Sequence, residues 1–178
     1  LTSLYGKTTV AVDASAVTEI TGSVAEANIV YAAGASEITG LGNETVVTTD
    51  TSLSDVTTLN TLDGNTTGTV NAASVNSITG TLAKLLTAYG SNGITGLGNE
   101  NLIVSDIGSI SATDLNSLDS KTSGTITTHT NLATLTGTLA TLNAAYAAGI
   151  NVLGNEAIEL TDSSVDAEDL NILNNYTT

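Results

Sequence analysis

The chain repeats itself, and the period decides which folds are open to it. Gly42-Asn43-Glu44, Gly98-Asn99-Glu100 and Gly154-Asn155-Glu156 recur at one constant interval. The first two lie inside a longer identity, residues 38–44 against 94–100. Ile20-Thr21-Gly22, Ile78-Thr79-Gly80 and Leu135-Thr136-Gly137 recur at nearly the same interval. A leucine pair marks every unit: Leu1/Leu4, Leu59/Leu62, Leu115/Leu118 and Leu170/Leu173. The period is about 56 residues, long enough for one supersecondary unit. The units run 1–58, 59–114 and 115–169, with the start of a fourth at 170–178. A unit of this size cannot bury its apolar face alone and gains a core by stacking on its own copy. One continuous segment, 1–178, is therefore expected. It starts and stops at the same phase, as an excerpt of a longer array would, with no atypical polar cap.

Each unit carries two short helical patterns. Residues 111–119 read as a helix with Ser111 as N-cap and Asp114 as a variant of the capping box. Its counterparts are expected to begin at Ser54 and Ser164, with Asp55, Asp166, Glu168 and Asp169 at the positive end of the helix dipole. Residues 81–90 place Leu82, Leu85, Leu86 and Tyr89 on one helical stripe, and Gly90 reads as the stop. Leu139, Leu142 and Tyr146 with Gly149 repeat it, and residues 24–34 are an earlier copy. Between helices lie Thr-, Val- and Ile-rich β-type runs such as 68–71, 74–78, 93–97 and 101–105. Helix, two strands, helix, two strands is the expected order. It would make each unit two diverged coils of about 28 residues. Parallel strands stack about 4.8 Å apart and helices need about 8–10 Å. Such an array must curve, splay its helices or place alternate helices on different faces.

Composition narrows function more than fold. The 178 residues include three Lys or Arg, 18 Asp or Glu and one His, a net charge of −15. Three cations cannot neutralise a phosphate backbone, so no nucleic-acid partner is expected. With no Cys there is no disulfide, thiolate metal site or Cys nucleophile. No apolar run reaches the roughly 18 residues that span a bilayer, so no membrane insertion is expected. Hydrophobic residues make up 40% and charged ones 12%, enough apolar content for a packed core. Aromatics are 3%, so that core is expected to be thin, regular layers of Val, Ile, Leu and Ala.

Few residues offer chemistry. His129 is the single His, occurs in one unit and reads as an exposed bystander. No Ser/His/Asp set recurs, and general acid–base catalysis has little to work with, so no catalytic residues and no enzyme are expected. Stacked units would align Glu44, Glu100 and Glu156 in one column and Asp50, Asp106 and Asp162 in another. Calcium takes six to eight oxygens and would suit such columns. Gly and Asn also tolerate positive φ at a tight corner, so a turn is the first reading of Gly-Asn-Glu and calcium the second. Cofactors are otherwise none. Thr21, Thr79 and Thr136, like Thr8, Thr66, Thr122 and Thr177, are equivalent. Flat Thr arrays bind ice in some solenoids, but Thr is also a good strand former. Tyr31, Tyr89 and Tyr146 form a row expected to stack in the core. Asn43, Asn65 and Asn175 open glycosylation sequons.

The runs Leu-Asn-Ser-Leu-Asp-Ser-Lys-Thr-Ser-Gly-Thr (115–125), Asn-Ser-Ile-Thr-Gly-Thr (76–81) and Gly-Ile-Thr-Gly-Leu-Gly-Asn-Glu (93–100) resemble one family's tandem repeats. These are the repeats of very large Thr/Gly-rich, Cys-free cell-surface proteins of marine picocyanobacteria, the Synechococcus swimming-protein type. The resemblance implies an extracellular structural or adhesive role and brings no site residues with it. Unit 1 departs from the pattern at Val10, where Gly68 and Gly124 stand.

The expected fold is an α/β tandem-repeat solenoid of short helices alternating with short parallel β-strands, with a leucine-rich-repeat-like horseshoe as the runner-up. The expected role is a non-enzymatic spacer, stalk or adhesive array on a cell surface or in the extracellular space. A calcium-dependent adhesin is the alternative, then a ligand- or ice-binding solenoid. Its partners would be neighbouring repeats of the same chain and other surface components.

Overall fold

Eight to ten residues per helix are too few to persist alone in water, so these helices depend on what they cover. In the computed structural model, which describes residues 10–34 and 37–177, six helices are found. They are α1 (Val24–Ala32), α2 (Val56–Asn65), α3 (Leu82–Gly90), α4 (Ala112–Asp119), α5 (Leu139–Ala147) and α6 (Ala167–Asn174). The leucine pairs define the inner faces: Leu59, Leu62, Leu115 and Leu118 are fully buried. The first pair, Leu1 and Leu4, lies outside the described residues, as do Thr8 and Thr178.

The helix starts follow local capping chemistry, with two differences from the sequence reading. Ser111 caps α4 by accepting from Asp114 N at 3.3 Å. For α2 and α6 the cap is Asp55 or Asp166, one or two residues beyond Ser54 and Ser164, each accepting from a backbone N–H at 2.8 Å. An ionised carboxylate accepts a charge-assisted bond at the helix start and outcompetes a hydroxyl there. Ser23 and Glu26 form a full capping box on α1. Gly90 is the last residue of α3, not its stop, whereas Gly34 and Gly149 end their helices with φ of 68° and 75°.

The strands are two to four residues long, all paired in parallel, and fall into four open sheets with no closed barrel among the described residues. One sheet pairs β1 (Val12–Asp13) with β3 (Ile38–Thr39). The next runs β2 (Glu19–Gly22), β4 (Thr45–Thr48), β6 (Val70–Asn71), β8 (Ile94–Thr95). The third runs β5 (Ser52–Leu53), β7 (Ser77–Gly80), β9 (Asn101–Val104), β11 (Ile126–Thr127), and the fourth β10 (Ser109–Ser111), β12 (Thr134–Gly137), β13 (Ala157–Leu160). Inward residues form one apolar row per sheet, for example Leu53, Ile78, Leu102 and Ile126.

The registers overturn the picture of two equal coils per unit. Val46 pairs with Val70 and Val70 with Ile94, so Ile94 stands two strands above Val46. The repeat equivalent of Val46 is Leu102, eight positions beyond Ile94 and in a different sheet. The extra residues are a third strand, β5 or β10, present in every second turn of the chain and absent from the expected order. Each of these strands opens a new sheet at its edge. The strand frame therefore moves sideways by one sheet per repeat, and equivalent residues never stack.

That sideways step also resolves the spacing conflict between layers. Successive helices pack against each other in one row, α1 to α6, and do not alternate between faces. Helices α2 and α3 follow neighbouring strands β5 and β7, and α4 then follows β10 in the next sheet. The row runs diagonally across the strands, so its step exceeds the about 4.8 Å of strand stacking. An asparagine fifth in the helix ties each neighbour to the next. Asn28, Asn60, Asn116 and Asn143 donate to the carbonyls of Thr58, Lys84, Thr141 and Asp169 at 2.9, 3.0, 2.9 and 3.1 Å. In α3 Leu86 takes that position.

Candidate functional site

The recurrent Gly-Asn-Glu triplet is a tight corner at the head of a strand. Gly42, Gly98 and Gly154 have φ of 134°, 139° and 123°, a backbone that L side chains rarely adopt. The corner turns the following glutamate inward: Glu44 and Glu100 are completely buried and Glu156 is 8% exposed. Gly42 N donates to both carboxylate oxygens of Glu44, at 3.1 and 2.9 Å. Gly98 N does the same for Glu100 at 3.1 and 2.8 Å, and Gly154 N for Glu156 at 3.2 and 3.0 Å.

A tyrosine from the preceding helix completes each cradle. Tyr31 Oη donates to Glu44 at 2.9 Å and Tyr89 Oη to Glu100 at 2.5 Å. Tyr146 Oη donates to Glu156. These tyrosines do not stack with one another; Tyr146 instead stacks on Tyr176, ring centroids 5.5 Å apart. Thr66 and Thr122 hydroxyls close the far side, donating to the carbonyls of Glu44 and Glu100 at 2.8 Å. Burial opposes ionisation of Glu44, but donation from Gly42, Tyr31 and Asn43 outweighs it and leaves the carboxyl below its usual value. Burial, with Glu44 beside it, pushes Tyr31 up to about 12, and burial followed by Glu100 or Glu156 raises Tyr89 and Tyr146 as well.

The second acidic series does a different task. Asp50, Asp106 and Asp162 accept from Val24 N, Leu82 N and Leu139 N at 2.7, 2.7 and 2.6 Å. Those residues open α1, α3 and α5, so each aspartate caps a helix that starts 23 to 26 residues earlier. Thr48 Oγ1 also donates to Asp50 at 2.8 Å.

The glutamates and aspartates are thus separate. Glu44 precedes β4 and Asp50 follows it, about 20 Å apart at strand rise. Glu44, Glu100 and Glu156 head strands of three different sheets, because of the sideways step, and form no column. Among the described residues no three His, Cys, Asp or Glu gather as a metal site. Thr21, Thr79 and Thr136 likewise lie in β2, β7 and β12 of three sheets and build no flat array. His129 is half-buried, not exposed, and its Nδ1 accepts from Asn131 N at 3.0 Å. Asn43, Asn65 and Asn175 are exposed.

The clefts carry little more. One of about 410 Å³ is lined by Ser54, Asp55, Thr79, Thr81, Lys84 and Ser105, hydroxyls with a single cation. Two more lie at the ends, one beside Ile20, Ala27 and Val30, the other beside Ile158, Leu160 and Leu170. Sequence reasoning missed the Tyr–Glu pairing and the aspartate caps. The signal was present as the fixed offsets of tyrosine to glutamate and helix start to aspartate in each unit. Compared with protein-family models, curated proteins and solved structures, the chain matches none of them.

Proposed function

We propose that this chain is a segment of an α/β solenoid and serves as a non-enzymatic spacer, stalk or adhesive array of a large cell-surface or secreted protein. One observation carries the reading: the recurring Glu, Asp and Asn side chains are spent on joining one turn of the chain to the next. The glutamates hold the tyrosines, the aspartates cap helices of the neighbouring turn, and the asparagines tie helix to helix. A chain whose stability is the sum of such neighbour contacts can be lengthened without redesign. The net charge of −15 keeps long arrays soluble and apart. The repeat phrases that resemble picocyanobacterial surface proteins support an extracellular place, with other surface components as partners and motility as one setting.

The test is an immunoblot of native cells with antibody to this segment, before and after external protease. A very large band that disappears on shaving is expected. A protected band, or one near the 17.8 kDa of this chain, overturns the reading. Metal is no part of the proposal: EDTA is expected to leave the unfolding midpoint unchanged, and a drop restored by millimolar calcium would favour the calcium-dependent adhesin.

A further inference from the structure

The C-terminal face is built like an interior layer but stands uncovered. Leu170 is 39% exposed, whereas its equivalents Leu59 and Leu115 are fully buried. Val165 is 37% exposed against 5% for Leu53 and for Ile110. Inside the chain such a face is covered by the turn that follows. Leu102 of β9 pairs with Ile126 of β11, and Ile110 of β10 with Leu135 of β12. Asn60 and Asn116 each donate to the next helix. The equivalent Asn171 is exposed, and no described residue accepts from its side chain.

The N-terminal turn is of the type that covers such a face. Val12 corresponds to Val70 and Ile126, Ile20 to Ile78 and Leu135, and Val24 to Leu82 and Leu139. Two residues spoil the match. Gly68 and Gly124 lie so close to the turn below that an added Cβ would sit 2.2 Å from the carbonyl oxygen of Glu44 or Glu100. Unit 1 has Val10 there, with its side chain already in place. By the internal register, Asp13 would also stand beside Glu159, where Asn71 faces Val47 and Thr127 faces Ile103. Like charges directly opposite in a sheet destabilise it.

We propose that the two end faces of this chain are the halves of one head-to-tail interface between copies, barred by Val10 and Asp13. The partner is a second copy, seated by its N-terminal turn on Ile158, Leu160, Val165 and Leu170. The inference rests on the stacked-repeat part of the function proposed above and not on cellular location. Such a contact is heterologous and does not close, so once unbarred it grows into filaments.

The test is analytical ultracentrifugation of the full chain in about 1 M NaCl, where the Debye length is about 3 Å and the net charge is screened. Wild type is expected to stay monomeric. Val10→Gly with Asp13→Asn restores the interior pattern of Gly68 and Asn71 and is expected to tighten association by about tenfold or more. Adding Leu170→Asp to that variant is expected to abolish association. Circular dichroism of each variant, unchanged because Val10 is 72% and Leu170 39% exposed, shows that folding is intact. A double variant that stays monomeric, a wild type that associates equally, or association that survives Leu170→Asp overturns the proposal. A failed shaving experiment with successful association would instead discard only the surface role.

Discussion

Glu100 shows what a single residue contributes. A completely buried carboxylate with no partner would cost several kcal/mol, and this one has three donor contacts from two groups. Removing one partner of such a set leaves the other stranded, so the loss exceeds the value of the bond. Glu100→Ala is expected to destabilise by about 3–5 kcal/mol and Tyr89→Phe by about 1–3 kcal/mol. The double variant should cost less than the sum, because the two share one interaction. Urea unfolding of the four proteins checks this, and strict additivity would show that the pair is not coupled. The tyrosines also set an alkaline limit. Tyr31 is neutral in the folded chain up to about 12, while its ordinary value is 10.0. Its contribution is complete below pH 10.0 and is lost as pH rises toward about 12, since the unfolded chain ionises first. Stability measured across that window should fall, and a smaller fall is expected for Tyr31→Phe.

At the scale of elements, the short helices are held by caps that come from other turns of the chain. Thr81 precedes α3 and makes no side-chain cap of its own, while Asp106 supplies the acceptor to Leu82 N. Asp106→Ala is therefore expected to cost about 1–2 kcal/mol, and Thr81→Ala much less. Hydrogen exchange of the first turn of α3 is the direct readout, and equal effects of the two substitutions would contradict the assignment. Periodicity made the helices legible: the stripe of Leu82 and Leu85 is buried, with Leu86 and Tyr89 packed at its margin. The four-residue strands were legible from alternation, as in β9, where Leu102 and Val104 point inward. Strands β5 and β10 escaped because two or three residues are too few to show a period. The aspartate caps escaped for another reason. Capping rules look just upstream of a helix, and these caps lie 23 to 26 residues downstream of the N–H groups they accept from.

At the scale of the molecule, sequence identity reports which residues are equivalent and not which are adjacent. Glu44 and Glu100 are equivalent, and that equivalence suggested a column of carboxylates. Adjacency is set by strand pairing, which advances from Val46 to Val70 to Ile94, so Gly68 and not Glu100 lies over Glu44. Two pairing steps fall short of one repeat, and the shortfall is the sideways movement of the strand frame that gives the helices their room. The measurement that tests this most directly uses the absence of native Cys, which lets spin labels go only where they are placed. Labels at Val47→Cys and Thr95→Cys, joined through Asn71 by two pairing steps, sit about 10 Å apart at strand spacing. Labels at Val47→Cys and Ile103→Cys mark equivalent residues of successive repeats in different sheets. Dipolar broadening in the electron paramagnetic resonance spectrum is predicted to be strong for the first pair and weak for the second. Stronger broadening between Val47 and Ile103 would mean that equivalent residues of successive repeats stack directly, and would contradict the moving frame.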